Sequence, residues 1–154
     1  MTLKMKAEIK QQWVDALRLG NYRQGAAELH SMRPLGFDEY DERFCCLGIL
    51  SLLCQQAGFV ESGNSPEDDR YRISYGVTCE TEYLPYEVID WAGMEFEGER
   101  KYTGDSRLEE SRGIITNGTR EANFLDDLSL SMMNDKGIPF EEIADAIEAH
   151  VIGI

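Results

Sequence analysis

Along this chain, apolar residues recur at helical spacing in some stretches and alternate in others. Over residues 6–19, Ile9, Trp13, Ala16 and Leu17 fall on one face, with Lys10, Gln11, Asp15 and Arg18 off it, and Gly20-Asn21 supplies a left-handed stop. Residues 44–57 form the most apolar segment, ringed by Leu47, Ile49, Leu50, Leu52 and Leu53 and closed by Gly58, which predicts a buried central helix. Gly48 in its middle costs about 1 kcal/mol relative to alanine, a cost that a close approach of neighbouring backbone would explain. Tyr71, Ile73, Tyr75 and Val77 alternate, predicting a strand pair or a bent strand. A short helix follows over 84–93, with Pro85 in its first turn, Val88, Trp91 and Ala92 inward, and Gly93 at its end. Phe124, Leu125, Leu128 and Met132 predict a helix over 124–134. Phe140, Ile143, Ala144, Ile147 and Val151 give the inner face of a last helix over 139–150.

Between these elements the pattern fades. Residues 21–42 read as irregular, with a short ordered piece near 26–30, and 61–69 as a loop. Residues 95–121 lack a period, although Asn117-Gly118 is a type I′ hairpin signal. The fold expected is α+β and mainly helical: one domain over 1–154, about four principal helices around the central helix, and one or two small β-hairpins.

Composition changes the picture through charge. The chain has 154 residues, with 29 acids against 15 lysines and arginines, for a net charge of −14. That field repels nucleic acid and anionic membranes and favours basic partners. Neither a signal peptide nor an apolar run of about 20 residues is present in the sequence, so the expected location is cytoplasmic, with reduced cysteines.

Three cysteines sit in the central helix. Adjacent Cys45 and Cys46 project about 100° apart on a helix, and Cys54 lies more than two turns away. This differs from the paired spacing of structural zinc sites. The thiols are expected to pack, no metal or cofactor is expected, and no residue is assigned as catalytic. His150 in a final helical turn suits the helix dipole, and His30 beside Glu28 is the candidate base of a hydrolase reading. Glu141, Asp145 and Glu148 at i, i+4 and i+7 line one ridge. With Asp126 and Asp127 they are the candidate contacts for a basic partner. Tyr22, Arg23 and Gln24, in a glycine-bounded turn, form with Arg70 and Arg72 the candidate site for a nucleotide, provided these arginines meet others beside a tyrosine.

Four blocks, "WVDALRLGNYRQG", "FCCLGIL", "LPYEVIDWAG" and "MNDKGIPFEEIADAIEAH", occur in that order. Together they resemble a widespread family of small bacteriophage and prophage proteins, relative to which 95–121 looks expanded. The resemblance implies a phage origin and a cytoplasmic setting in the host cell, and it carries no assigned reaction. The function expected is a non-enzymatic accessory protein that counters a host defence by stoichiometric binding. Its acidic surface would occupy the basic nucleic-acid site of a host effector, as a mimic of DNA. The alternatives are sequestration of a small nucleotide signal and hydrolysis of such a nucleotide. Direct binding of nucleic acid or membrane is not expected, and a homo-oligomer is left open.

Overall fold

The computed structural model describes residues 2–67, 70–97, 114–119 and 126–154, and the side chains of 3–64, 71–95 and 129–154. Its strands are β1 (Thr2–Met5), β2 (Arg23–Gln24), β3 (His30–Gly36), β4 (Glu39–Phe44), β5 (Ser62–Glu67), β6 (Arg70–Tyr75), β7 (Glu95–Glu97), β8 (Ile114–Thr119), β9 (Asp126–Ser129) and β10 (Ile152–Gly153). Its helices are α1 (Ala7–Leu19), α2 (Cys46–Gln56), α3 (Tyr86–Ala92), α4 (Leu130–Asp135) and α5 (Phe140–His150). The class is α+β, but the expectation of a mainly helical domain with four principal helices is overturned. The described residues hold two five-stranded sheets and five helices, two of the helices only six and seven residues long.

One sheet runs β10-β1-β8-β9, with β7 also paired to β1, and the other runs β2-β4-β3-β6-β5. The first is seeded by "LKM": Leu3 and Met5 are fully buried, with Lys4 between them on the other face. Four residues give periodicity too little length to register this strand. Residues 21–42, read as irregular, supply β2, β3 and most of β4. Pro34 sits opposite Tyr40 at the register shift of the β3–β4 hairpin, where a missing N–H is tolerated. Asp38 takes the left-handed conformation at the turn (φ 57°).

The central helix stands, trimmed at its start. Phe44 ends β4 and Cys45 is the N-cap, its sulfur accepting from the Gly48 N–H at 3.4 Å. Gly48 meets the expected backbone: a Cβ there would overlap the Leu29 carbonyl oxygen. Trp13, fully buried on α1, donates its indole N–H to the Cys46 carbonyl at 2.9 Å, fixing α1 against the start of α2. Among the described residues, no helix is long and apolar enough to cross a membrane.

The alternating segment became β6, with Ile73 and Tyr75 buried, and its partner β5 lies in the stretch read as a loop. Val77 belongs to the exposed turn after β6. α3 and α5 match expectation, with Val88 and Ala92 buried in the first, and Phe140, Ile143, Ala144 and Ile147 in the second. The helix expected over 124–134 is divided. Asp126–Ser129 is a strand paired with β8, and the helix starts only after Ser129, whose hydroxyl accepts from the Met132 N–H. Asn117-Gly118 lies within β8 rather than at a turn, and the connection to β9 lies outside the described residues.

Candidate functional site

A single polar cluster gathers three of the blocks that stood out in the sequence. Asn134 is 1% exposed. Its side-chain carbonyl accepts from the Gln24 amide at 3.0 Å and from the Cys46 N–H at 3.1 Å, and its amide donates to the Gly25 carbonyl at 2.6 Å. Gln24 also donates to the Ile138 carbonyl at 2.7 Å, and the Ala27 N–H donates to Asp135 at 2.8 Å. Gln24 therefore works inward, joining the turn after α1 to α4 and the start of α2. A buried network of this kind holds its shape because leaving any member unpaired costs about 1–3 kcal/mol.

This anchoring places β2 alongside β4 and leaves Tyr22 beside the sheet. Residues 40, 42 and 44 of β4 share one face, and Tyr22 meets Phe44 edge to face, with centroids 5.3 Å apart at 76°. The result is a cavity of about 430 Å³ with three aromatic walls, Tyr22, Tyr40 and Phe44. Asn21, Arg23, Leu35 and the carboxylates of Glu39 and Glu42 complete the lining. Arg23 is engaged with Asp41 at 3.0 Å. The two carboxylates give the cavity an excess of negative charge.

Behind the Phe44 wall lies His30, 7% exposed and stacked on Phe44 at 4.0 Å. Its Nε2 is 2.7 Å from Glu42 and its Nδ1 is 2.9 Å from the Tyr75 hydroxyl. Burial lowers the imidazole pKa below its ordinary value, outweighing the opposite pull of Glu42. The neutral ring donates from Nε2 to Glu42 and accepts at Nδ1 from Tyr75, whose own pKa burial raises. Both nitrogens are thus spent within the protein, and neither is presented to a substrate.

The thiols pack. Cys45, Cys46 and Cys54 are buried, and burial pushes the first and last up to about 12 and Cys46 well above the ordinary thiol value. Cys46 donates weakly to the Leu130 carbonyl. Among the described residues no group of three histidine, cysteine or acidic side chains is placed to hold a metal ion.

The acidic ridge is not a uniform row of unengaged charge. Arg18 of α1 donates to Asp145 at 2.7 Å and to Glu148 at 2.8 Å, so these two acids close the seam between α1 and α5. Glu141 is exposed one turn earlier. The side chains of Asp126 and Asp127, on β9, lie outside the described residues, as does that of Arg70. The nucleotide candidates divide: Tyr22 and Arg23 line the aromatic cavity, Gln24 is internal, and Arg72 lies on β6 with Nε 3.4 Å from Glu28. Tyr40, Glu39, Glu42 and Phe44 escaped notice as a site because "DEYDERF" reads as an acid cluster until strand alternation separates its faces. No curated protein and no solved structure matches the chain. The family model described as a domain of unknown function, DUF8296, matches residues 5–151, and the chain belongs to that family.

Proposed function

We propose that this protein is a non-catalytic binder of a basic partner, and that the Tyr22–Tyr40–Phe44 cavity receives a cationic side chain of that partner. The observation that carries this reading is the combination of three aromatic walls with Glu39 and Glu42 in one cavity. Aromatic faces attract ammonium and guanidinium groups by about 0.5–2 kcal/mol, and the −14 net charge draws such a partner in. Because Arg18 partly neutralises the α5 ridge, the cavity displaces that ridge as the centre of the contact. The resemblance to phage proteins supports a host-cell setting in which the partner is a nucleic-acid-binding defence effector whose basic groove becomes blocked.

Titration with a lysine- and arginine-rich peptide, followed calorimetrically at low and high salt, tests the reading. Tyr40→Ala should weaken binding roughly five- to tenfold, as the loss of one cation–π wall implies, and salt should weaken it further. Binding indifferent to both Tyr40→Ala and salt rejects the proposal.

One observation favours a second reading, sequestration of a small nucleotide: Tyr22 and Arg23 both line this cavity, so a base would stack on the tyrosine with a phosphate at the guanidinium. That reading predicts a nucleotide recovered chemically unchanged after denaturation of the complex, as identified by mass spectrometry.

A further inference from the structure

Two of the groups that give the aromatic cavity its attraction for a cation, the Glu42 carboxylate and the Phe44 ring, also touch one buried imidazole. His30 does not itself line the cavity. Its Nε2 is 2.7 Å from Glu42, and its ring stacks on Phe44 with centroids 4.0 Å apart and planes at 24°. The Glu42 side chain is 47% exposed and that of His30 9%, so this carboxylate reaches from the interior to the cavity. Strand pairing imposes the arrangement. His30 of β3 stands opposite Phe44 of β4, and Glu42 lies two residues along β4 on the same face.

The groups around the ring leave Glu42 as the charge that acts on it. Glu42 from β4 and the Tyr75 hydroxyl from β6 meet its two nitrogens, and Tyr71 of β6 stands one pair further along, opposite Met32. Cys45, at the start of α2, has its thiol pushed up to about 12 and stays neutral. Asp41 and Arg43 alternate to the other face of β4 and contact each other, and Glu28 lies beside Arg72. Burial lowers the imidazole pKa below its ordinary 6.5, so the ring takes a second proton only as the medium turns acidic. Each nitrogen then carries a hydrogen, and the Glu42 carboxylate and the Tyr75 oxygen can accept one each. The charged ring thus fits its site without leaving a donor unpaired.

We propose that the cavity is proton-gated, its cationic ligand and an imidazolium at His30 competing for one carboxylate and one aromatic ring. The proposal rests on the reading that this cavity takes a cationic side chain. A ligand charge in the cavity and an imidazolium behind its wall share Glu42 and repel each other, and the imidazolium draws on the same Phe44 π-system that attracts the ligand. By linkage, protonation lowers ligand affinity by the factor by which the ligand lowers the proton affinity of His30. The protein therefore holds its basic partner at neutral pH and releases it on acidification.

The test is calorimetric titration of the full chain with an acetylated, amidated peptide of lysines and arginines, at pH about 7.5 and about 5, between which the peptide charges do not titrate. The wild-type dissociation constant is expected to rise roughly fivefold or more at the lower pH. In His30→Gln, whose amide keeps an N–H for Glu42 and gains no proton, it should hardly change. NMR titration of the wild-type His30 ring gives a readout that loss of folding cannot imitate: saturating peptide should lower its pKa by about 0.7, the same fivefold. Peptide binding that is equal at the two pH values, an equal pH response in His30→Gln, or a His30 titration that the peptide leaves unmoved overturns the gating and leaves the basic-partner reading standing. Absence of peptide binding at the higher pH overturns both.

Discussion

Two clusters of acids and arginines in this molecule use the same chemistry in opposite proportion. In the seam between α1 and α5, one guanidinium, Arg18, lies between two carboxylates, Asp145 and Glu148. On the β3–β4 hairpin, one carboxylate, Asp41, lies between two guanidiniums, Arg23 and Arg43. Counting only the groups in direct contact, the first cluster has more carboxylates than guanidiniums and the second more guanidiniums than carboxylates, and the two differ in what each adjoins. The seam sits over a packed apolar interface in which Ile9, Trp13 and Leu17 are buried on one helix and Ile143 and Ile147 on the other, so its ion pairs merely trim an interface already made by burial. The hairpin has few buried residues along β3 and β4 beyond His30 and Phe44, and its side chains are arranged around cavities. Net charge alone hides this, because −14 describes the whole chain and not how its acids and arginines are paired.

The largest effect is expected where the two regions join. The chain entering the hairpin crosses α2 at Leu29, whose carbonyl lies against Gly48, and Leu29 also accepts from the Cys45 N–H at 3.2 Å. Gly48→Ala places a methyl group into backbone that cannot rotate away. The expected loss is about 1–3 kcal/mol or more from overpacking, less the several tenths that alanine gains by helix propensity. Thermal unfolding should show a drop of several degrees. A variant as stable as the wild type would mean that helix and hairpin are not locked together here.

The same contrast explains what could be read from sequence. α1 and α5 are amphipathic for three turns and bury a single stripe, so their 3.6-residue period was legible, down to Gly20 as the stop of α1 at φ 77°. Gly48 was legible as a close approach because a glycine inside an apolar helix needs a reason. The hairpin was not legible. "HSMRPLG" carries a proline and "EYDERF" alternates between two solvent-facing sides, so no apolar period marks either strand. β6 was seen because Ile73 and Tyr75 face the core. Of the aromatic cavity, Tyr22 and Arg23 could be singled out from their glycine-bounded turn. Tyr40 and Glu42 could not, because what brings them to Tyr22 is the parallel pairing of β2 with β4, Arg23 against Arg43, across about 20 residues.

A smaller effect separates the regions by pH. His30 belongs to the hairpin and is held neutral by burial, so its folded pKa lies below the ordinary 6.5. The unfolded chain then binds the proton first, and stability falls as pH drops through 6.5 toward the folded value, with the full contribution present above 6.5. Denaturant midpoints measured across this range should decline for the wild type and lose that component in His30→Gln. The Arg18–Asp145–Glu148 cluster contains no imidazole. A midpoint as flat in the wild type as in His30→Gln would show that the imidazole is not held neutral.

The smallest effect is the most direct reading of the reversed proportions. Arg18 holds the Glu148 carboxyl below its ordinary 4.5, while Asp145 acts against it. In Arg18→Gln the Asp145 repulsion and the cost of burial are opposed only by Lys10, so Glu148 should titrate higher than in the wild type. Asp41 is held below its ordinary 3.8 by Arg23 first and Arg43 second. In Arg23→Gln the second arginine remains, so Asp41 should move up yet stay below 3.8. Carbon-detected NMR titration of the two carboxyls in the wild type and both variants measures this, with little change in stability expected because both replaced arginines lie at the surface and are screened. Unequal responses of this kind follow if Asp41 keeps a second arginine while Glu148 does not. Equal responses would mean that the second arginine does not act on Asp41.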